Sequence, residues 1–228
     1  MSTYNTGFKD AVTDYRYLKN REYSDKSALK LIGDHYRLSK IQRNCLLRGI
    51  VTQNQSITRK KKLIGAKAVR NKSLGIDWYN VLITIESYLK GQLLFLADDG
   101  VIRDSSSTHG SYRQSQVTEH AVTTLGKALL DLQPQNLSIV MDSPISFSKM
   151  MADNLRTTFN AVLPMPFEIT LLHSADYALK TFQGIVASSD SVIMDCVPKI
   201  FDIARYCLSV FFGFIPPSVE NLHFDPSG

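Results

Sequence analysis

Residues 73–82 read Ser73-Leu74-Gly75-Ile76-Asp77-Trp78-Tyr79-Asn80-Val81-Leu82, and their parsing decides the fold. Ser73 to Asp77 is a short apolar run that ends in a carboxylate. Val81, Leu82, Ile85 and Leu89 then recur at three- and four-residue steps, one stripe of an amphipathic helix, and Gly91 is a stop signal. A strand that passes directly into a helix opens an alternating pattern.

The alternation continues downstream. Leu93 to Ala97 reads as the next strand, closed by the turn signal Asp98-Asp99-Gly100. Val101-Ile102 follows as a hairpin-like return, and Asp104 to Ser111 is a polar stretch. Gln116 to Leu132 carries a helical stripe through Val117, Ala121, Leu125 and Leu129. Leu137 to Met141 is a strand ending in Asp142, then comes a helix from Ser148 to Ala161. Strand Phe167 to Leu172, helix Ala175 to Phe182 and strand Gly184 to Ala187 follow, the last running into Ser188-Ser189-Asp190. Ser191 to Cys196 and Asp202 to Phe212 read as the final helices. This pattern predicts an α/β fold with a mostly parallel central sheet covered by helices on both faces.

Charge divides the chain differently. Of 26 Lys plus Arg and 21 Asp plus Glu in 228 residues, residues 1–70 hold 16 of the basic and 5 of the acidic ones. The remainder, 10 against 16, is mildly acidic. We therefore expect a basic helical nucleic-acid-binding region at 1–70 and an α/β catalytic domain at 71–228. Within the first, Phe8, Val12, Tyr15 and Leu18 form one apolar stripe, while Ser24 and Ser39 suit the N-caps of two further helices. Lys40, Arg43 and Arg48 fall on the face away from the third helix's apolar stripe. Arg59-Lys60-Lys61-Lys62 is a basic run behind a Gln/Asn/Ser/Thr stretch. Such a block most simply meets phosphates, because neutralising them releases condensed counterions. The contacts expected are to the nucleic-acid backbone and carry no base specificity.

The carboxylates carry the chemical argument. Asp77, Asp142 and Asp190 each follow a predicted strand, and Asp176 begins the helix after another. In an open parallel sheet those ends share one edge, where ligands bind. Converging carboxylates repel unless a cation compensates, and hard oxygen ligands suit Mg²⁺ or Mn²⁺. Each aspartate also suits a plainer role: Asp77, Asp176 and Asp190 as helix caps, Asp142 before Ser143-Pro144 as a turn start. Trp78 and Tyr79 suit either a base-stacking platform or the core. Gly-x-Ser-x-Gly, Gly-x-x-x-x-Gly-Lys and Gly-x-Gly-x-x-Gly do not occur, which argues against a serine hydrolase, a P-loop enzyme and a dinucleotide-dependent dehydrogenase.

Gly75 to Val81 resembles the Asp-x-x-Asn opening of PIN-like nucleases, especially their NYN branch. Ser174 to Leu179 is similar to the later helix start that supplies an acidic ligand there. Ile185 to Ser191 resembles the strand ending in Ser/Thr-x-Asp, and Ile139 to Pro144 the strand-end Asp of the related flap-endonuclease group. These pieces occur in the same order between residues 73 and 212. The whole chain resembles an uncharacterised prokaryotic family that joins a basic helical N-terminal region to such a domain, on Leu31 to Leu38 and Gln42-Arg43-Asn44. The NYN ending Asp-x-Asp stands here as Asp190-Ser191-Val192. The middle acid has Asp98, Asp99 and Asp104 as its candidates.

The resemblance implies a PIN-like three-layer fold and a Mg²⁺- or Mn²⁺-dependent nuclease acting on RNA, single-stranded or structured. Asp77, Asp142, Asp176 and Asp190 would bind the metal, with Asn80 or Ser189 orienting ligands. Two rival readings are a non-catalytic RNA-binding protein of PIN-like shape and a Rossmann-like enzyme acting on a phosphorylated metabolite. Three cysteines, Cys45, Cys196 and Cys207, in neither a CxxC pair nor zinc-finger spacing, predict buried thiols in a reducing cytoplasm. The longest apolar runs are far short of the roughly 20 residues of a membrane span. Phe211 to Ile215 reads either as core or as a homodimer surface.

Overall fold

Four α-helices precede the first strand in the computed structural model, which describes residues 6–106, 112–143 and 148–224. Part of the polar 104–111 stretch and Pro144 lie outside them. The basic segment folds into α1 (Thr6–Asn20), α2 (Asp25–His35), α3 (Lys40–Gly49) and α4 (Gln53–Lys62). Next come β1 (Ser73–Asp77), α5 (Trp78–Leu89), β2 (Leu94–Leu96), β3 (Ile102–Asp104), α6 (Thr118–Leu132) and β4 (Asn136–Asp142). The chain continues through α7 (Ser148–Val162), β5 (Phe167–Leu172), α8 (Ala175–Lys180), β6 (Ile185–Ala187), α9 (Ser191–Cys196) and α10 (Ile203–Phe212).

These elements form two compact units. The first comprises the described residues of Met1–Lys61, Gln92–Ser107 and Pro216–Gly228. Its helix starts are set by serines: Ser24 accepts from the Ser27 N–H, and Ser39 forms a reciprocal capping box with Gln42. Capping satisfies amide donors that a helix start otherwise leaves unpaired. Phe8, Val12, Tyr15, Ala28, Ile32, Cys45 and Leu46 share a core with Phe95, Val219 and Leu222. The Leu94–Leu96 strand was expected to extend the α/β alternation. Instead it pairs antiparallel with β3 in a two-stranded hairpin of this unit.

The second unit, the described residues of Lys62–Gly91 and Thr108–Ile215, holds the parallel sheet. Its order is β5-β4-β1-β6, and every neighbouring pair is parallel. Isolated bridges from Val186 to Ile200 and from Ile200 to Leu63 continue the ladder beyond β6. From β1 the chain moves outward to β4 and then β5, before α8 returns it across the sheet to β6. Right-handed crossovers therefore place the connections on opposite faces. α5 packs against the sheet, α6 and α10, which explains why it is buried continuously from Trp78 to Ser87. Gly75 makes room for Phe182, whose ring would stand 3.0 Å from an added Cβ.

Candidate active site

The strand order reverses between β1 and β6, since β1 leads outward on one side and β6 returns on the other. Adjacent loops diverge at such a point and leave a crevice at the carboxyl ends of the strands. Asp77 ends β1 there, Asp142 ends the adjacent β4, and Ser188-Ser189-Asp190 follows β6.

Asp77 is 7% exposed, and its Oδ2 accepts from the Ser188 hydroxyl at 2.7 Å. Burial pushes its pKa up to about 7. The Ser188 hydrogen bond and the Asn80 N–H oppose that rise, while the charges of Asp190 and Asp142 add to it. Asp190 donates its N–H to Ser188 Oγ at 3.0 Å, so one serine links both aspartates. Its carboxylate Oδ1 accepts from Val192 and Ile193 at the start of α9. Asp142 Oδ1 accepts from the Ala175 N–H at 2.8 Å. The Asn80 side-chain oxygen accepts from both the N–H and the hydroxyl of Ser189, each at 2.8 Å. Asn80 thus ties the start of α5 to the loop after β6.

Asp77, Asp142, Asp190 and Asn80 are therefore brought to one edge, and the capping role holds for Asp190 as well. Asp176 follows Ala175, whose N–H bonds Asp142, so α8 starts at the same edge; its side chain is 47% exposed and pairs with Lys180 at 3.3 Å, and its charge is not among those that perturb Asp77. Ser188 stands in the sequence as the serine of the Ser-x-Asp resemblance, but the orienting role was expected of Asn80 or Ser189; Ser188 is the residue that bonds Asp77. Trp78 is fully buried against Phe159, and Tyr79 is 2% exposed, so both aromatics belong to the core. Tyr79 is pushed up to about 12 by burial and by the charge of Asp142. Among the described residues no three His, Cys, Asp or Glu side chains are close enough to enclose an ion.

Residues 66–206 match the model of a domain of unknown function, DUF5616, and residues 7–62 that of a protein of unknown function, DUF434. This chain belongs to the DUF5616 family. It is also 33% identical over 186 residues to the uncharacterized protein MJ0935 of Methanocaldococcus jannaschii, covering 81% of this chain and 87% of the relative. No solved structure matches. All of the sheet-edge carboxylates lie within the DUF5616 match.

The DUF434 segment and the residues beside it revise the expected phosphate contacts. Arg43 donates to Asp34 at 2.9 Å and to the Leu38 carbonyl at 3.0 Å. It lies so close over Gly33 that an added Cβ would stand 1.9 Å from the guanidinium. The two stretches around Gly33 and Arg43 are thus one packing arrangement. Arg48 pairs with buried Asp104, and Arg59 is 2% exposed and bonded to Asp99 at 2.9 Å. These three guanidiniums are committed inside the unit because each neutralises a carboxylate there. Asp98 pairs with Arg16. Asp98, Asp99 and Asp104, the three candidates for a middle acid, are thus each paired with an arginine of this first unit. Lys62 donates to the Met194 and Asp195 carbonyls, while Lys40, Lys60 and Lys61 are exposed.

Proposed function

We propose that the sheet-edge carboxylates form the centre of a Mg²⁺- or Mn²⁺-dependent endoribonuclease with a PIN-like catalytic domain. The observation that carries this reading is the meeting of Asp77, Asp142 and Asp190 at the strand-order reversal, with Asp77 buried and its ionisation opposed by the other two. Carboxylates held together in this way disfavour one another's charge, and a cation reverses that penalty. The donors are hard oxygens, which suit Mg²⁺ or Mn²⁺. Mg²⁺ is commonly held through one or two carboxylates with waters completing its shell, so a closed three-ligand cage is not required. Asp77 together with Asp142 or Asp190 would hold it. When bound, such a cation supplies charge stabilisation at the phosphate and a more acidic water.

The chain's own residues position the rest. Ser188 fixes the Asp77 carboxylate and the backbone of Asp190 together. Asn80 acts as a positioning residue by holding Ser189. With a pKa near neutrality, Asp77 exchanges its proton readily around pH 7, which suits a group that receives a cation or takes a proton from water. Lys40, Lys60 and Lys61 supply counter-charge for an RNA backbone, and binding weakens steeply with salt.

Labelled single-stranded RNA and DNA, incubated with Mn²⁺, Mg²⁺ or EDTA beside Asp77→Asn, test the proposal. Cleavage of RNA that needs both metal and Asp77 supports it, whereas cleavage unaffected by the substitution removes it. The second reading, a non-catalytic RNA-binding protein, is favoured by the Val192 that stands where a second acid would follow Asp190, and by the open carboxylate arrangement. Calorimetric titration with Mn²⁺ separates the two, because a degenerate site gives no heat that depends on Asp77.

We propose a cytoplasmic setting, which suits three free cysteines, Cys45 and Cys207 buried and Cys196, contrary to expectation, exposed. No described helix is long and apolar enough to cross a membrane. Exposed Val210, Phe211 and Ile215 are the surface through which a homodimer would form.

A further inference from the structure

A cavity of about 460 Å³ lies between α6 and α7 in the sheet-bearing unit, apart from the carboxylates. Its position along the sheet follows from connectivity. α6 ends at Leu132 and β4 begins at Asn136, so α6 runs back along β4 and its start lies toward the carboxyl edge. The lengths agree: 15 helical residues span about 22 Å and seven strand residues about 23 Å. α7 begins just after β4 ends, at that same edge. The cavity is lined by the segment leading into α6, its first turns, and α7 from Met151 to Thr158. It therefore opens beside the edge that carries Asp142.

The lining has two parts. Val122, Met151 and Leu155 are buried and provide an apolar floor. Gln114, Gln116 and Asn154 are exposed at the rim, with Glu119 beside them. Among the described residues no Lys or Arg lines the cavity, and Glu119 repels anions, so a phosphate group is a poor occupant. An apolar floor for a flat ring face, with neutral amides that both donate and accept and one carboxylate around it, matches the face and edges of a nucleobase.

The wall is also built in advance. Glu86 of α5 is 1% exposed, and its carboxylate accepts from Thr118 at 2.6 Å, Tyr112 at 2.7 Å and Ser115 at 3.3 Å. Thr118 and Ser115 line the cavity. Tyr112 packs on Tyr79 at 5.1 Å between ring centroids, and Tyr79 feels the charge of Asp142. A continuous set of contacts thus runs from the cavity wall to Tyr79 in the first turn of α5, two residues after Asp77.

We infer that this cavity receives one unpaired base of an RNA strand whose neighbouring phosphate lies at the carboxylates. The inference rests on the ribonuclease reading and adds base selectivity to a domain whose other nucleic-acid contacts are to the backbone. A built base subsite discriminates by about tenfold or more, the scale of a good pair of hydrogen bonds to a base edge.

The test uses the full chain carrying Asp77→Asn, so that RNA is bound without being cut. Fluorescence anisotropy compares 5′-labelled 12-mers of A, C, G or U with an abasic ribose-phosphate oligomer of equal length. We expect at least one homopolymer to bind ten times tighter than the abasic chain. Thr158→Trp, which fills the cavity from α7, brings that ratio to within twofold and leaves the salt dependence unchanged. Asn154→Ala, a surface truncation that does not threaten folding, lowers the ratio at least threefold. Equal binding of all four homopolymers and the abasic chain overturns the base subsite while leaving RNA binding intact. A preference that survives both substitutions overturns it too. Failure of every oligomer to bind at low salt overturns the ribonuclease reading and the subsite together.

Discussion

Two buried aspartates, one in each unit, have opposite surroundings. Asp99 is 0% exposed and is gripped by Arg59 and Arg103, with hydrogen bonds of 2.8–2.9 Å. Burial alone would raise its pKa, but the two guanidiniums bring it below the usual carboxylate range. Asp77 is nearly as buried, yet two further carboxylates face it and only a serine hydroxyl and a backbone N–H compensate. A compensated buried charge holds a fold in one arrangement. An uncompensated one is a cost to the fold, and such groups concentrate where proteins bind cations or do chemistry.

The largest effect that would break this comparison is expected at Asp99. Asp99→Asn removes the buried charge that Arg59 and Arg103 both face, and breaking a buried ion pair from one side costs about 3–5 kcal/mol. Thermal unfolding followed by circular dichroism should show a fall in Tm of about 10 °C. A loss below about 1 kcal/mol would mean that the arginines find other partners and that Asp99 does not hold them.

Asp77→Asn should act in the opposite direction. Folding raises this carboxyl from its usual 3.8 to about 7, so the folded state binds more protons than the unfolded state between those values. Stability attributed to Asp77 is present below about pH 4 and is lost as pH rises through 7. Denaturant titrations should find the Asn variant more stable than wild type at pH 8, by roughly 4 kcal/mol at most, with the difference vanishing near pH 4. A variant less stable than wild type at pH 8 would contradict the account of Asp77 as uncompensated.

Ser188→Ala sharpens the same contrast at smaller scale. It removes a hydrogen bond to a carboxylate, worth about 1.5–3 kcal/mol when that group is charged. The Asp77 carbon resonance should titrate at a still higher pH, and an unchanged titration would remove Ser188 as its partner. Smallest of all, Ser39→Ala removes one half of a capping box and should cost about 1 kcal/mol in the helical unit, with Asp77 unaffected.

Much of this architecture was legible because it rests on period and punctuation. Phe167–Leu172 and Ser191–Cys196 were read to the residue. Ser24 and Ser39 announced their helices because a capping hydroxyl must stand just before the first turn. α4 went unread because Gln53 to Thr58 is polar and offers only Ile57 as an apolar anchor. Leu94–Leu96 was recognised as a strand, but an apolar triplet has the same pattern in a parallel sheet and in an antiparallel hairpin.

At the site, the strand-end position located Asp77, Asp142 and Asp190 together, because a parallel sheet gives all its carboxyl ends one edge. Arg59 misled, since an arginine opening a run of three lysines reads as surface, whereas it is buried and bonded to Asp99 forty residues later. Asp176 starts the helix at that edge, next to Ala175 whose N–H bonds Asp142, but its own carboxylate is half exposed and pairs with Lys180, an i to i+4 partner the strand-end argument did not weigh. The cavity between α6 and α7 had no sequence signature, because its amides and threonines are ordinary helix-surface residues until the two helices are placed side by side.

The most direct test of the central claim is cleavage of 5′-labelled single-stranded RNA by the full chain, in Mn²⁺ and in EDTA, beside Asp77→Asn. The account predicts cutting in Mn²⁺ that EDTA stops and that Asp77→Asn reduces by at least a hundredfold, while RNA binding persists. RNA that is bound but left intact by wild type in Mn²⁺ and in Mg²⁺, or cut equally well by Asp77→Asn, would contradict it.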